Sequence, residues 1–390
     1  MGECTDWSAN GTLLPLRLRD DLRMGSLGTP DVHARRDPDR AAIWTGRGGT
    51  ATSYGALRDG SRTVATRLRA DGTRAGDTVA ILVENRPEAL IAALGARRSG
   101  LRYTMLSTRF TAAEIGHVVA DSGATAVISS AAYAEAAAAG IAVAASRPRL
   151  YSVDNGTEGC ADLLVPADFV PEDREGADML YSSGTTGKPK GVVTELPDAG
   201  FGAAPDPIAA LLTARWGFDT DTVYLSPAPL YHAAPLRFSM ATHRFGGQVV
   251  LMESFDPLAL LELIERHRVT HMQLVPTMMV RLLKLSAEER GGFDLRSLEV
   301  LIHAAAPCPP EVKRQTIEWL GPVVHEYYSS TENYLFTAID SEEALARPGS
   351  VGRPLLGIPH IVDEGGGRGR PRRGRRDPLR ERRCVRIPPR

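Results

Sequence analysis

The stretch YSSGTTGKPKGV, residues 181–192, holds three glycines, four hydroxyl side chains and two lysines within residues 182–191. Glycine-rich backbone turned toward one point forms a nest of N–H groups that binds phosphate oxygens, and lysine adds charge. The spacing is not that of the G-x-x-x-x-G-K-[ST] phosphate loop: only two residues separate Gly184 from Gly187, and Pro189 follows Lys188. The run ADMLYSS before the loop has strand character, and VV after Gly191 resumes it. By itself such a stretch reads equally well as a turn.

Outward from the loop, apolar strand-like runs alternate with amphipathic helical ones. VAILV (79–83) precedes RPEALIAALGARRSG (86–100), and TAAEIGHVVADSG (111–123) precedes ATAVIS (124–129). Thr111 with Glu114 three residues on forms a capping-box pattern, which sets a helix start. Farther along, TVYLS, GQVVLM, THMQLV, LEVLI and VVHEYY are strand candidates. DPLALLELIERHRV and PTMMVRLLKL between them have helical spacing. This alternation predicts an α/β fold with mostly parallel sheet. The alanine-rich run 131–145 reads as an exposed helix or a loose connector, without a function.

The chain has 390 residues, enough for more than one lobe. Its formal charge of −1 conceals an asymmetry. Residues 365–390 carry 11 Arg against Asp377 and Glu381, a balance of +9, whereas 1–364 carry 35 basic and 45 acidic residues, a balance of −10. An acidic body disfavours nucleic acid as a partner. Cys4, Cys160, Cys308 and Cys384 are far apart without a C-x-x-C pair, so neither a zinc site nor a disulfide framework is expected. With no membrane-length apolar run and no signal-peptide core, the expected location is cytoplasmic. A homodimer is left open.

The order of residues in YSSGTTGKPKGV resembles the signature of the adenylate-forming superfamily: acyl-CoA synthetases, firefly-type luciferases and peptide adenylation domains. The resemblance implies that Ser182, Ser183, Gly184, Thr185, Thr186, Gly187, Lys188 and Lys190 wrap the β- and γ-phosphates of ATP. EYYSSTEN (326–333) resembles the second core motif, usually Tyr-Gly-x-Thr-Glu. By that likeness Tyr328 stacks on adenine beside Ser329, Thr331 contacts the α-phosphate, and Glu332, with Thr185, holds Mg²⁺. PLYHAAPL (229–236) resembles the segment whose His or aromatic residue lies beside the substrate carboxylate. His232 is thereby a positioning or gating residue; a carboxylate substrate needs no base at neutral pH. The bland alternative for His232 is a satisfied structural histidine. HAAAPCPPEV (303–312) resembles the Gly-Ala-Ala-Pro stretch lining the adenine and acyl pockets, with Ala304, Ala305 and Ala306. Ala304 stands where Gly is usual and is expected to narrow the acyl channel.

The resemblance runs from about residue 30 to 364, with residues 1–29 as an extension. It implies the large N-terminal domain of the adenylate-forming fold: layered sheets with helices between and around them, and a small β-barrel part. Its C-terminal small domain would be missing. The tail 365–390 matches nothing in the family. It reads as an anionic-surface arm, as a solvated tail, or, favoured here, as translation in a shifted frame. In that other frame the same codons can spell Gly-Glu-Ala-Gly-Glu-Ile-Arg, which looks like the family's continuation.

The implied activity is ATP-dependent conversion of a carboxylic acid to an acyl-adenylate and then to acyl-CoA, with ATP, Mg²⁺ and CoA as cofactor and co-substrates. This chain is expected to be impaired by its truncation. The alternatives are an inactive nucleotide- or acyl-binding remnant or a basic-tailed nucleic-acid binder. Amino-acid substrates are disfavoured, because Thr222 to Met252 contains no Asp or Glu to pair with an α-amine. An apolar acid is expected.

Overall fold

The computed structural model describes residues 28–46, 49–144, 146–170, 172–182, 189–332 and 335–359. Strands are numbered in chain order. One sheet has nine strands, in the order β16 (Arg353–Leu356), β15 (Phe336–Ile339), β14 (Val324–Ser329), β13 (Val300–His303), β12 (His271–Leu274), β10 (Val223–Ser226), β11 (Gln248–Leu251), β1 (Ala41–Thr45) and β2 (Thr50–Ser53). The other has seven: β7 (Ala161–Asp162), β6 (Arg149–Ser152), β5 (Ala124–Ser129), β3 (Thr78–Leu82), β4 (Arg102–Met105), β8 (Ala177–Ser182) and β9 (Lys190–Val193).

Pairing is parallel through the interior of both sheets. Antiparallel pairs occur only toward the edges, at β1–β2, β14–β15, β15–β16 and β8–β9. Parallel strands are covered on both faces and therefore read as continuous apolar runs; β3, TVAIL, is buried at every position. The expected mostly parallel α/β fold is present. β15 and β16 extend the nine-stranded sheet beyond β14.

A helical layer separates the sheets. Helices Tyr54–Ala70 and Pro87–Arg98 contribute Leu57, Val64, Leu90 and Leu94 to a core that includes Val79, Ile81 and Leu180 of one sheet and Ile43 and Leu251 of the other. Helix Ala233–Phe245 supplies Leu236 and Met240 to that core and Phe238 and Phe245 to a second beneath Tyr224 and Val249. Helices Pro257–His267, Pro276–Leu283 and Pro310–Leu320 cover the outer face of the nine-stranded sheet.

Ala112–Asp121 and Ala134–Val143 cover the outer face of the seven-stranded sheet. The first starts with the expected capping box between Thr111 and Glu114. The second is the helix form of the 131–145 reading and not a loose connector; it exposes one face and buries Ala134, Ala137 and Gly140 on the other. A Cβ on Gly140 would lie 2.3 Å from Ile115 Cγ2, and one on Gly116 would lie 2.5 Å from Val143 Cγ2. These two glycines let the helix pair approach closely, a contact invisible in composition.

Candidate active site

In open parallel sheets ligands bind beyond the carboxyl ends of the strands. Four segments singled out in the sequence follow such ends. The 183–189 loop follows β8, which runs parallel to β4. Residues 227–232 follow β10, Ala304–Ala306 follow β13, and Ser330–Glu332 follow β14. β13 and β14 are parallel neighbours with His303 opposite Glu326, so the last two segments lie side by side.

Ser182 pairs with Lys190 across β8–β9, which makes the glycine-rich stretch the connection of a hairpin. Its base is anchored to helix Ala112–Asp121. The Tyr181 hydroxyl donates to Asp121 Oδ2 at 2.7 Å, and His117 Nε2 donates to the Pro189 carbonyl at 3.1 Å. A Cβ on Gly191 would come within 2.8 Å of Met179 Cε and 3.0 Å of Tyr181 Cζ. Glycine at 191 therefore lets the Tyr181 ring lie across the partner strand. Lys190 is exposed on β9. Ser183, Gly184, Thr185, Thr186, Gly187 and Lys188, and the Ser182 side chain, lie outside the described residues.

Alternation along β14 sends its two tyrosines to opposite faces. Tyr327 turns inward, stacks on Phe336 with ring centroids 4.7 Å apart, and accepts from Gln273 Nε2 at 3.1 Å. Tyr328 points outward and is 44% exposed, leaving a ring face free for a planar ligand. The two glutamates of the segment also divide. Glu326 is buried and bonded to Lys313. Glu332 is exposed, and its carboxylate bonds to no other described residue. Hard cations such as Mg²⁺ take carboxylate oxygens and retain phosphate or water ligands. Among the described residues no group of three or more His, Cys, Asp or Glu could hold a metal ion.

Ala304 is buried, whereas Ala305 and Ala306 are exposed. Ala305 has φ +73°, a left-handed conformation that is disfavoured for residues with a Cβ. Such strain clusters where function holds the backbone in place. Below this turn, His303 Nε2 lies 4.0 Å from Glu326 Oε2, and neither ring nitrogen makes a hydrogen bond. Burial and the Lys313 charge push the His303 pKa down to about 3, so it is neutral.

His232 is the N-cap of helix Ala233–Phe245 but makes no side-chain cap bond, and its ring lies against Tyr231 with centroids 4.6 Å apart. The ring is solvent-accessible. Even so, partial desolvation and then the Arg109 charge lower its pKa, which favours neutral imidazole.

Arg237, on the same helix, was not singled out in the sequence. Its Nε donates to Asp178 Oδ2 at 2.6 Å and its Nη2 to Asp178 Oδ1 at 3.3 Å. Its Nη1 donates to the Thr331 carbonyl at 3.2 Å. Burial works against the guanidinium charge, but Asp178 outweighs it and the pKa rises. An arginine amid apolar helix residues carries no motif; only its proximity to β8 and Thr331 reveals it.

The chain is similar to several known proteins. The chain is 32% identical over 340 residues to a feruloyl-CoA synthase of Amycolatopsis sp, covering 85% of this chain and 65% of that one. It is 28% identical to a medium/long-chain-fatty-acid–CoA ligase of Mycobacterium tuberculosis, covering 79% and 56%. The chain thus spans between about half and two thirds of the curated relatives it matches. Among solved structures, the N-terminal domain of FACL13 from Mycobacterium tuberculosis superposes with a TM-score of 0.71 at 24% identity, covering 89% of this chain and 86% of that one. That likeness shows the fold. A family described as AMP-binding enzyme matches residues 31–375, nearly the whole described region, and the chain belongs to it.

Proposed function

We propose that this chain is the nucleotide- and acid-binding part of an acyl-CoA or aryl-CoA ligase. In this reading it activates an apolar carboxylic acid with Mg²⁺ and ATP to an acyl-adenylate, which CoA then converts to a thioester. The supporting observation is that the glycine-rich connection, the His232 segment, Ala304–Ala306 and Ser330–Glu332 each follow the carboxyl end of a strand, with Arg237 joining Asp178 of β8 to Thr331. Tyr328 offers a ring face for adenine, and Glu332 an exposed carboxylate, unbonded among the described residues, for Mg²⁺. The hairpin offers amides, hydroxyls and Lys190 for the phosphates. Adenylation places an acid oxygen in line with the α-phosphate and neutralises growing phosphate charge, which is a task of positioning and electrostatics. His232, neutral and accessible, orients the carboxylate without opposing its charge.

The relatives' names direct the choice of acid toward hydroxycinnamic and fatty acids. The test is to incubate the chain with Mg²⁺, ATP and one acid at a time: ferulate, 4-coumarate, and fatty acids of graded length. Pyrophosphate release and acyl-AMP are followed by mass spectrometry, with CoA added in a second series. Acid-dependent pyrophosphate release is the expected result. Mg·ATP binding without acid-dependent release would favour the second reading, a nucleotide-binding remnant. Absence of nucleotide binding would overturn both.

A further inference from the structure

We propose that Arg237 is a positioning residue that sets the place of the Thr331–Glu332 segment relative to the strand carrying the glycine-rich hairpin. The inference rests on the nucleotide-binding reading above.

Three segments far apart in sequence meet at this guanidinium. Asp178 lies in β8, locked by its register with Tyr103 of β4, and five residues farther on the hairpin connection begins. Arg237 lies in the helix that opens at His232. Thr331 lies past the end of β14, where no strand pairing holds the backbone. Among the described residues, the bond from Arg237 is the only hydrogen bond that Thr331 makes to a distant part of the chain.

The geometry needs arginine. A planar fork can place two nitrogens on a carboxylate and turn a third elsewhere, whereas a lysine ammonium is a single point. Arg237 is 15% and Asp178 12% exposed at the side chain, so the pair is largely desolvated. Buried pairs are often no more stabilising than apolar replacements of equal size. Stability alone therefore does not account for a guanidinium whose spare N–H holds a carbonyl next to an exposed carboxylate.

The experiment uses the 390-residue chain. Mg·ATP affinity is measured by equilibrium dialysis for the natural protein, Arg237→Lys, Arg237→Met and Asp178→Asn, at a temperature where circular dichroism shows each to be folded. Hydrogen exchange is followed in peptides covering 329–332. Losing a hydrogen bond from a charged group weakens binding about tenfold or more. Arg237→Lys is therefore expected to raise the Kd about tenfold and to speed exchange at 330–332, with exchange elsewhere unchanged. Asp178→Asn shifts both in the same direction by less, and it decides the matter where Arg237→Met fails to fold. If the natural protein binds Mg·ATP and Arg237→Lys binds it equally well, the inference is overturned and the reading stands. It is also overturned if affinity falls only in proportion to the folded fraction. If the natural protein binds no nucleotide, both fail together.

Discussion

Helix Ala233–Phe245 carries two arginines, the partly buried Arg237 and the buried Arg244, separated by seven residues and so on one face. Their surroundings differ. Arg244 donates to Asp206 at 3.2 Å and to the Gly202 carbonyl at 3.0 Å. It shares Asp206 with Arg97, which is bonded in turn to Glu175, itself an acceptor from the Gly202 amide. Nearby, Arg98 pairs with Asp31 at 2.6 Å and lies over the Phe201 ring. This cluster closes on itself and fastens the 199–206 segment to two helices. Burial and the like charge of Arg97 together outweigh Asp206 and lower the Arg244 pKa, whereas at Arg237 the Asp178 charge outweighs burial and the pKa rises. A buried ion pair is thus no mark of function. What distinguishes Arg237 is its second partner, the Thr331 carbonyl, which lies beside exposed Glu332.

The largest expected effect falls on the closed cluster. Asp206→Ala leaves Arg97 and Arg244 to one carboxylate and removes the helix cap that accepts from Ala209. Breaking a buried pair costs about 3–5 kcal/mol, to be read from urea unfolding. Nucleotide affinity of the folded variant should not change. Loss of affinity with intact stability would erase the distinction between the two clusters.

The next effect is one of pH. His243, on the same helix, is buried, and burial pushes its pKa down to about 4 despite the Ala42 carbonyl beside it. Its unfolded value is near the ordinary 6.5. A depressed folded pKa means that the unfolded chain takes up the proton first. Stability is therefore complete above pH 6.5 and falls as pH drops toward 4, with a slope of up to about 1.4 kcal/mol per pH unit. Urea midpoints measured from pH 7.5 to 4 check this. His243→Gln should flatten that slope, and an unchanged slope would assign it to His303 and His325, which burial also depresses.

A smaller, sharper effect is expected at Glu332. Its carboxylate is exposed and unbonded among the described residues, so Glu332→Gln should leave stability within about 0.5 kcal/mol. Mg·ATP affinity should fall about tenfold, the scale of one charge-assisted contact, and affinity for ATP without Mg²⁺ should change less. Equal loss with and without Mg²⁺ would remove the metal role. The smallest effect is at Ala305. Ala305→Gly relieves a left-handed residue and should stabilise by about 1 kcal/mol, measured by thermal unfolding, if the backbone there is strained as its φ of +73° indicates.

Much of this was legible in the chain itself. Strand and helix periodicity, the Thr111–Glu114 cap and the motif order are local, because each depends on residues within a few positions of one another. They sufficed for a parallel α/β fold and for the expectation that 181–192 and 326–333 meet a nucleotide. What only the tertiary structure decided is where side chains without a local pattern end up. Arg237 and Arg244 lie on the same helical face, yet one completes a motif and the other a brace. Glu326 and Glu332 belong to one short stretch, yet one is buried on Lys313 and the other faces solvent. Gly116 and Gly140 became a helix contact, and the 131–145 run a packed helix. Long-range ion pairing and close packing depend on which distant residue arrives opposite, and no spacing along the chain encodes that.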